Sequence, residues 1–128
     1  GVPGGIILGL SGGIICYFSV DLIRSKLKID DSLDVFAVHG VGGILGTLMV
    51  SFLALETFSG AGLAEEMSVN SQFLAQLFGV VLTVVWTLIF TYIALKITSL
   101  FTSLRVEEQE EIEGLDLRSH GERAYYND

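Results

Sequence analysis

The sequence predicts an all-α membrane protein with three transmembrane helices and a polar C-terminal tail. Three apolar segments, at about residues 3–23, 35–55 and 73–95, reach the ~20 residues that a helix needs to cross the hydrocarbon core. Hydrophobic residues make up 51% of the chain and charged residues 17%, a composition typical of membrane proteins. We therefore predict a transmembrane region over residues 1–103 and a tail over residues 104–128.

The first apolar segment is predicted to be a span rather than a signal peptide. No basic stretch precedes it, and no small-residue cleavage pattern follows a short apolar core. Pro3 suits the first turn of a helix, where its missing N–H removes no intrahelical hydrogen bond. Gly5, Gly9 and Gly13 recur at every fourth position and form a face that another helix backbone can approach closely. Cys16 is the only cysteine, so no intrachain disulfide can form, and we expect it to be a packing residue.

The charges of the two links between spans predict the orientation of the chain. The first link carries Arg24, Lys26 and Lys28, whereas the second, residues 56–72, has three glutamates and neither Lys nor Arg. Because basic links are retained on the inner side of a membrane, the first link is expected in the cytoplasm and the second outside. The third span then returns inward, which predicts a cytoplasmic tail.

The second span contains an ionisable side chain, His39, in the segment DVFAVHGVGG at positions 34–43. Helical spacing places His39 on one side of the helix with small or apolar residues and no carboxylate one turn away. Ionisable groups inside membranes tend to face a bundle interior or a cavity, where they mark substrate pathways. A neutral imidazole there can hold a small polar solute or relay a proton, and the alternative is a hydrogen bond to another helix for stability alone. The neighbours that share this side are Val35, Phe36, Gly42, Gly43 and Gly46.

The start of the second span is predicted to be capped by Asp34, or by Ser32 before it, because such side chains accept hydrogen bonds from exposed amides. Direct contact of Asp34 with a ligand is the alternative function of this carboxylate. Trp86 lies deep in the third span and is expected to pack against other side chains.

Several functions lack the residues that they require. Besides His39, the spans contain no other His and no Glu, and Cys16 is their one cysteine, which is too few ligands for a metal site. The chain has no Gly-rich nucleotide loop and no serine-centred elbow. A net charge of −8 argues against nucleic acid as a partner. We therefore expect neither an enzyme nor a bound cofactor.

The tail holds eight of the fifteen acidic residues, and EEQEEIEG is predicted to form a short helix that ends at Gly114. An acidic run of this kind is often only solvated. Tyr125 and Tyr126, at the end of the chain, instead favour docking onto a partner surface, since disordered tails are poor in aromatic residues.

Two long motifs resemble the C-terminal part of bacterial transporters of the ammonium/methylammonium/Rhesus family. They are KIDDSLDVFAVHGVGGILGTLM, at positions 28–49, and LRVEEQEEIEGLDLRSHGERAYYND, at positions 104–128. Ala37 is a departure, because the family commonly has glycine there. Since the chain also starts at Gly1, directly at the beginning of a span, we expect it to be the last three helices and the tail of an eleven-helix protomer.

The resemblance implies a homotrimer in the inner (cell) membrane with one apolar pore per protomer, which passes ammonium, ammonia or methylammonium. His39 aligns with one of two paired pore histidines, Val35 with a pore-lining position, and Asp34 with an acidic residue at the inner end. The tail is implied to be a regulatory element near the docking surface of PII-type signalling proteins, and we assign this role to Gly114, Asp116 and Tyr125. An ammonium sensor that acts through the tail is the alternative function.

Overall fold

A computed structural model describes residues 1–122, and all the regular structure in this range is helical. This confirms the predicted all-α fold class, with three helices long and apolar enough to cross a membrane. The chain forms two compact units, Gly1–Val85 and Trp86–Asp128. Tyr125 and Tyr126 lie outside the described residues.

The first span consists of helix α1, Val2–Asp21, which continues into a π-helical turn at Leu22–Lys26. Pro3 lies in the first turn, as predicted. The complete segment has 25 residues, which exceeds the predicted span because the polar residues at its C-terminal end remain helical. The hydroxyl of Ser19 donates to the Ile15 carbonyl at 2.7 Å, which satisfies a polar group within an apolar helix.

The second span starts with a π-helical turn at Val35–Gly40 and continues as helix α2, Val41–Leu53. Together they form a helix of 19 residues that ends two residues before the predicted end of the span. A short 3-10 turn at Glu56–Phe58 follows, and Ser59 then reverses the chain in the left-handed region with φ of 57°.

Helix α1 packs against the second span along its length. At one end, a Cβ on Gly4 would lie 3.3 Å from the Leu53 carbonyl oxygen. At the other end Ile23 and Ala37 are buried. The glycine face predicted for α1 is not the face that contacts the second span, because a Cβ on Gly5, Gly9 or Gly13 would meet nothing within 4 Å.

The third span is helix α3, Val69–Thr98, with 30 residues and no buried side chain. Ser68 and Ser71 cap its start reciprocally: each serine hydroxyl accepts from the backbone amide of the other, at 2.9 and 3.1 Å. Near the start of α3, the Phe73 ring lies 5.8 Å from the Phe52 ring. Farther along, the exposed Trp86 stacks on Phe90 with a centroid separation of 4.1 Å.

The tail contains a short acidic helix, α4, Glu108–Glu113, and a π-helical turn at Asp116–His120. Gly114 ends α4 with φ of 91°, which confirms the predicted stop. Arg118 lies 3.8 Å from Glu110 and 3.7 Å from Glu113, so it joins the turn to the acidic helix. These pairs are exposed, and each contributes little to stability on its own.

Candidate functional site

His39 lies near the end of the π-helical turn that opens the second span, and its side chain is exposed. Val35 and Phe36, in the same turn, are also exposed, with 53% and 56% of their surface accessible. The imidazole is therefore carried on a part of the second span that α1 leaves uncovered. Turns of this π-helical kind are uncommon and are frequent at functional sites.

Phe36 and Gly40 depend on each other in this turn. A Cβ on Gly40 would lie 2.8 Å from the Phe36 ring, which is closer than real side chains approach. Glycine beside His39 thus lets the aromatic ring lie against the helix backbone.

The glycines predicted to share a side with His39 separate into two environments. A Cβ on Gly43 or Gly46 would meet nothing within 4 Å, whereas one on Gly42 would lie 3.2 Å from the Cys16 Sγ. The prediction that grouped Gly42 with the side of His39 is corrected in this respect, because Gly42 faces α1. The physical reason is that at 3.6 residues per turn Gly42, three positions after His39, lies about 60° from it around the helix, at the edge of the His39 side rather than at its centre.

The cap of the second span is also different from the one predicted. Asp34 occupies the cap position in the left-handed region, with φ of 54°, and its side chain makes no capping hydrogen bond. Its Oδ1 instead lies 3.5 Å from Arg24 Nη1 at the end of the first span. Ser32 donates to Asp30 and does not cap the helix either.

Asp31 supplies the cap. Its Oδ1 accepts from the Val35 amide at 2.8 Å, and its Oδ2 accepts from the amides of Phe36 and Ala37 at 3.0 and 3.1 Å. Sequence reasoning missed Asp31 because it considered only the residues nearest the helix start. A second carboxylate a few positions upstream was the one available signal.

Cys16 joins α1 to the π-helical turn that carries His39. Its thiol donates to the Val38 carbonyl at 3.6 Å, directly before His39, and its sulfur also lies beside Gly42. This confirms the expected packing role of Cys16, since the side chain is half-buried between the helices.

The chemistry available at this site is that of one imidazole in an apolar setting. Among residues 1–122, no group of three or more His, Cys, Asp or Glu side chains could hold a metal ion. A neutral imidazole offers one hydrogen-bond donor and one acceptor. Such a group suits contact with a small polar solute.

The fold and this site define a multispanning helical membrane protein with a polar group on an uncovered helix face. The sequence matches the model of the Ammonium Transporter Family over residues 1–125. The chain therefore belongs to the ammonium transporter family, as the two motifs predicted. Its relatives are named as transporters rather than enzymes, which agrees with the expectation from the sequence.

Three relatives illustrate the match. The chain is 44% identical to "Ammonium transporter Amt1" of Archaeoglobus fulgidus, over 97% of this chain and 31% of the relative. It is 41% identical to "Ammonium transporter 1" of Dictyostelium discoideum, over 94% of this chain and 26% of the relative. It is 38% identical to "Ammonium transporter" of Bacillus subtilis, over 94% of this chain and 30% of the relative. The chain thus spans between a quarter and a third of the length of these curated relatives.

Proposed function

We propose that this chain is part of a transporter that passes ammonium, as ammonia or ammonium ion, and methylammonium through a pore lined by the second span. The observation that carries the proposal is His39, exposed on a membrane-length apolar helix on a face that α1 leaves uncovered. Gly43 and Gly46 continue this face with no side-chain bulk. Together with the family membership, this face supports a narrow apolar path with one polar group supplied by this chain.

Such a path can discriminate between solutes by their hydration. An intact cation loses its water shell in a narrow apolar pore at a cost of many kcal/mol, which opposes passage of K⁺ and Na⁺. An ammonium ion first gives up a proton to water, and the resulting ammonia can exchange hydrogen bonds with neutral imidazole. In the proposal, Val35 narrows the path one turn before His39, Asp34 lies at its inner end, and a second histidine comes from a helix outside this chain.

The test is methylammonium uptake by the full-length transporter in proteoliposomes. A polar group that loses its hydrogen bond to the His39 imidazole is destabilised by about 1–3 kcal/mol. His39→Ala should therefore lower methylammonium uptake roughly tenfold or more, or abolish selectivity against K⁺. His120→Ala in the tail is the matched control and should keep the uptake of the wild type. Normal uptake and selectivity in His39→Ala would remove His39 from the mechanism.

The same assay separates transport from sensing. A transporter gives saturable flux, whereas a sensor binds methylammonium saturably without moving it. Saturable binding to wild-type protein with no measurable flux would favour the sensor.

The proposal extends to the assembly and its control. We place the protein in the inner (cell) membrane as a homotrimer, with a cytoplasmic tail that regulates the pore and lies near a docking surface for a PII-type partner. In this proposal Gly114, Asp116 and Tyr125 are the tail residues that carry regulation. The orientation is supported by the basic first link and the acidic second link.

The tail proposal is tested at its turn. Gly114 has φ of 91° and ψ of 129°, a conformation that strains any L side chain by about 1–3 kcal/mol. Gly114→Asp should therefore distort the turn and lower uptake while trimers persist. Gly121→Asn is the matched control, because Gly121 has φ of 67° and ψ of 18°, which asparagine tolerates. Wild-type uptake by Gly114→Asp would count against coupling between tail and pore.

A further inference from the structure

The carboxylate of Asp31 accepts from three successive backbone amides at the start of the second span. The Val35 amide donates to Oδ1 at 2.8 Å, while the amides of Phe36 and Ala37 share Oδ2 at 3.0 and 3.1 Å. The first amides of a helix have no partner within the helix. One side chain thus satisfies three of them with charge-assisted hydrogen bonds, which are stronger than those between neutral groups.

The loop before the span is folded so that this carboxylate reaches the amides. The Asp34 amide donates to the Asp31 carbonyl at 3.0 Å, which closes a turn. Asp34 has a positive φ of 54°, a conformation that aspartate adopts more readily than most residues. Asp31 is therefore held close to the helix start even though it lies four positions before Val35.

The turn that Asp31 holds is the one that carries His39. Between Val35 and Gly40 the helix is π-helical, and the Val41 amide donates to the Phe36 carbonyl five residues earlier. Its first amides are held by Asp31, and near its end the Val38 carbonyl accepts from the Cys16 thiol. Ala37, between these two points, is fully buried, so the turn cannot rotate without displacing a packed residue.

We propose that Asp31 is a positioning residue of the transport path: by holding the amides of residues 35–37, it sets the π-helical turn and so the direction in which His39 faces. The inference rests on the proposed function, because it assigns Asp31 an effect on transport through His39. Without the carboxylate, the three amides have no partner in the loop. The turn then relaxes towards regular α-helix, which rotates the imidazole relative to α2.

The test compares four versions of the full-length transporter: wild type, Asp31→Ala, Asp31→Asn and Asp30→Asn. Asp31→Asn keeps one acceptor oxygen but loses the charge. Asp30→Asn removes the neighbouring charge from the same loop, where the Asp30 carboxylate accepts from the Ser32 hydroxyl. Two measurements are made on folded trimers: amide hydrogen exchange of residues 35–37, and KM and Vmax for methylammonium in proteoliposomes, per folded transporter.

We expect Asp31→Ala to lose exchange protection at residues 35–37 and to lower Vmax about tenfold, since displacement of a functional group by about 1 Å can cost up to a hundredfold. KM should remain within about twofold, because a changed direction of His39 slows passage more than initial capture of substrate. Asp31→Asn should recover part of both the protection and Vmax. Asp30→Asn should match wild type.

Three results would overturn the inference. One is wild-type Vmax in Asp31→Ala despite lost protection, which would separate the cap from transport. Another is full protection in Asp31→Ala, which would mean that Asp31 does not set the turn. The third is an equal loss of Vmax in Asp30→Asn and Asp31→Asn, which would indicate an effect of loop charge. If wild-type protein moves no methylammonium, the proposed function fails, and the exchange data still decide whether Asp31 holds the turn.

Discussion

The second span has two faces whose residues look alike in sequence but differ in surroundings. On the packed face, Ala37 is fully buried, and Gly42 lies against the Cys16 sulfur of α1. On the open face, His39 is exposed, and a Cβ added at Gly43 or Gly46 would meet no atom within 4 Å. The same residue type thus permits close helix approach on one face and leaves room beside an imidazole on the other.

Within this chain, one glycine of a small-xxx-small pair lies at a contact between two helices and the other does not. Gly42 and Gly46 are four residues apart and form a small-xxx-small pair, which favours helix contact. The structure places a neighbour only beside Gly42. The glycines of the packed face are constrained by what lies next to them, so substitutions should have different effects on the two faces.

The largest expected effect is that of a bulky side chain on the packed face. Gly42→Leu places a Cβ 3.2 Å from the Cys16 sulfur and further atoms beyond it, so α1 and the second span must separate. Overpacking of this kind costs about 1–3 kcal/mol or more. We expect a lower yield of folded protein and a lower Tm in detergent, measured by size-exclusion chromatography and thermal unfolding.

Gly46→Leu is the matched substitution on the open face. It should leave the contact between α1 and the second span intact, with a yield of folded protein close to wild type. It should lower methylammonium uptake, because the leucine side chain projects beside the proposed path. Equal loss of folded protein in the two variants would break the distinction between the faces. The milder substitution Gly42→Ala tests the contact with Cys16 directly. Adding Cys16→Ala should relieve the destabilisation caused by Gly42→Ala, because the nearest neighbour of the new Cβ is the cysteine sulfur.

A smaller effect is expected at Ala37, which lies on the packed face of the second span. The methyl group of Ala37 is completely buried at the packed face. Ala37→Gly removes this contact and adds backbone freedom within a helix, which together destabilise by about 1 kcal/mol. Thermal unfolding should therefore show a slightly lower Tm. A higher Tm would mean that the methyl group strains the contact.

Much of the architecture could be predicted because it depends on local properties. Three long apolar segments indicate three helices whatever their neighbours are, Pro3 suits a first helical turn, and Gly114 permits the positive φ that ends the acidic helix. The cap of the second span could not be predicted in the same way. It depends on how the loop folds, which brings Asp31 to the amides and turns Asp34 towards Arg24.

The sequence by itself determined the membrane character of this chain, its helical class, its family and the presence of one imidazole within an apolar span. These follow from composition, segment length and motifs, which need no knowledge of three-dimensional contacts. Only the tertiary structure decided which face of the second span α1 covers, that Gly42 belongs to that face, and that the Asp31 carboxylate accepts from the first amides of the turn carrying His39. The physical reason is that these features depend on contacts between residues far apart in the chain and on a π-helical turn that changes the helical spacing.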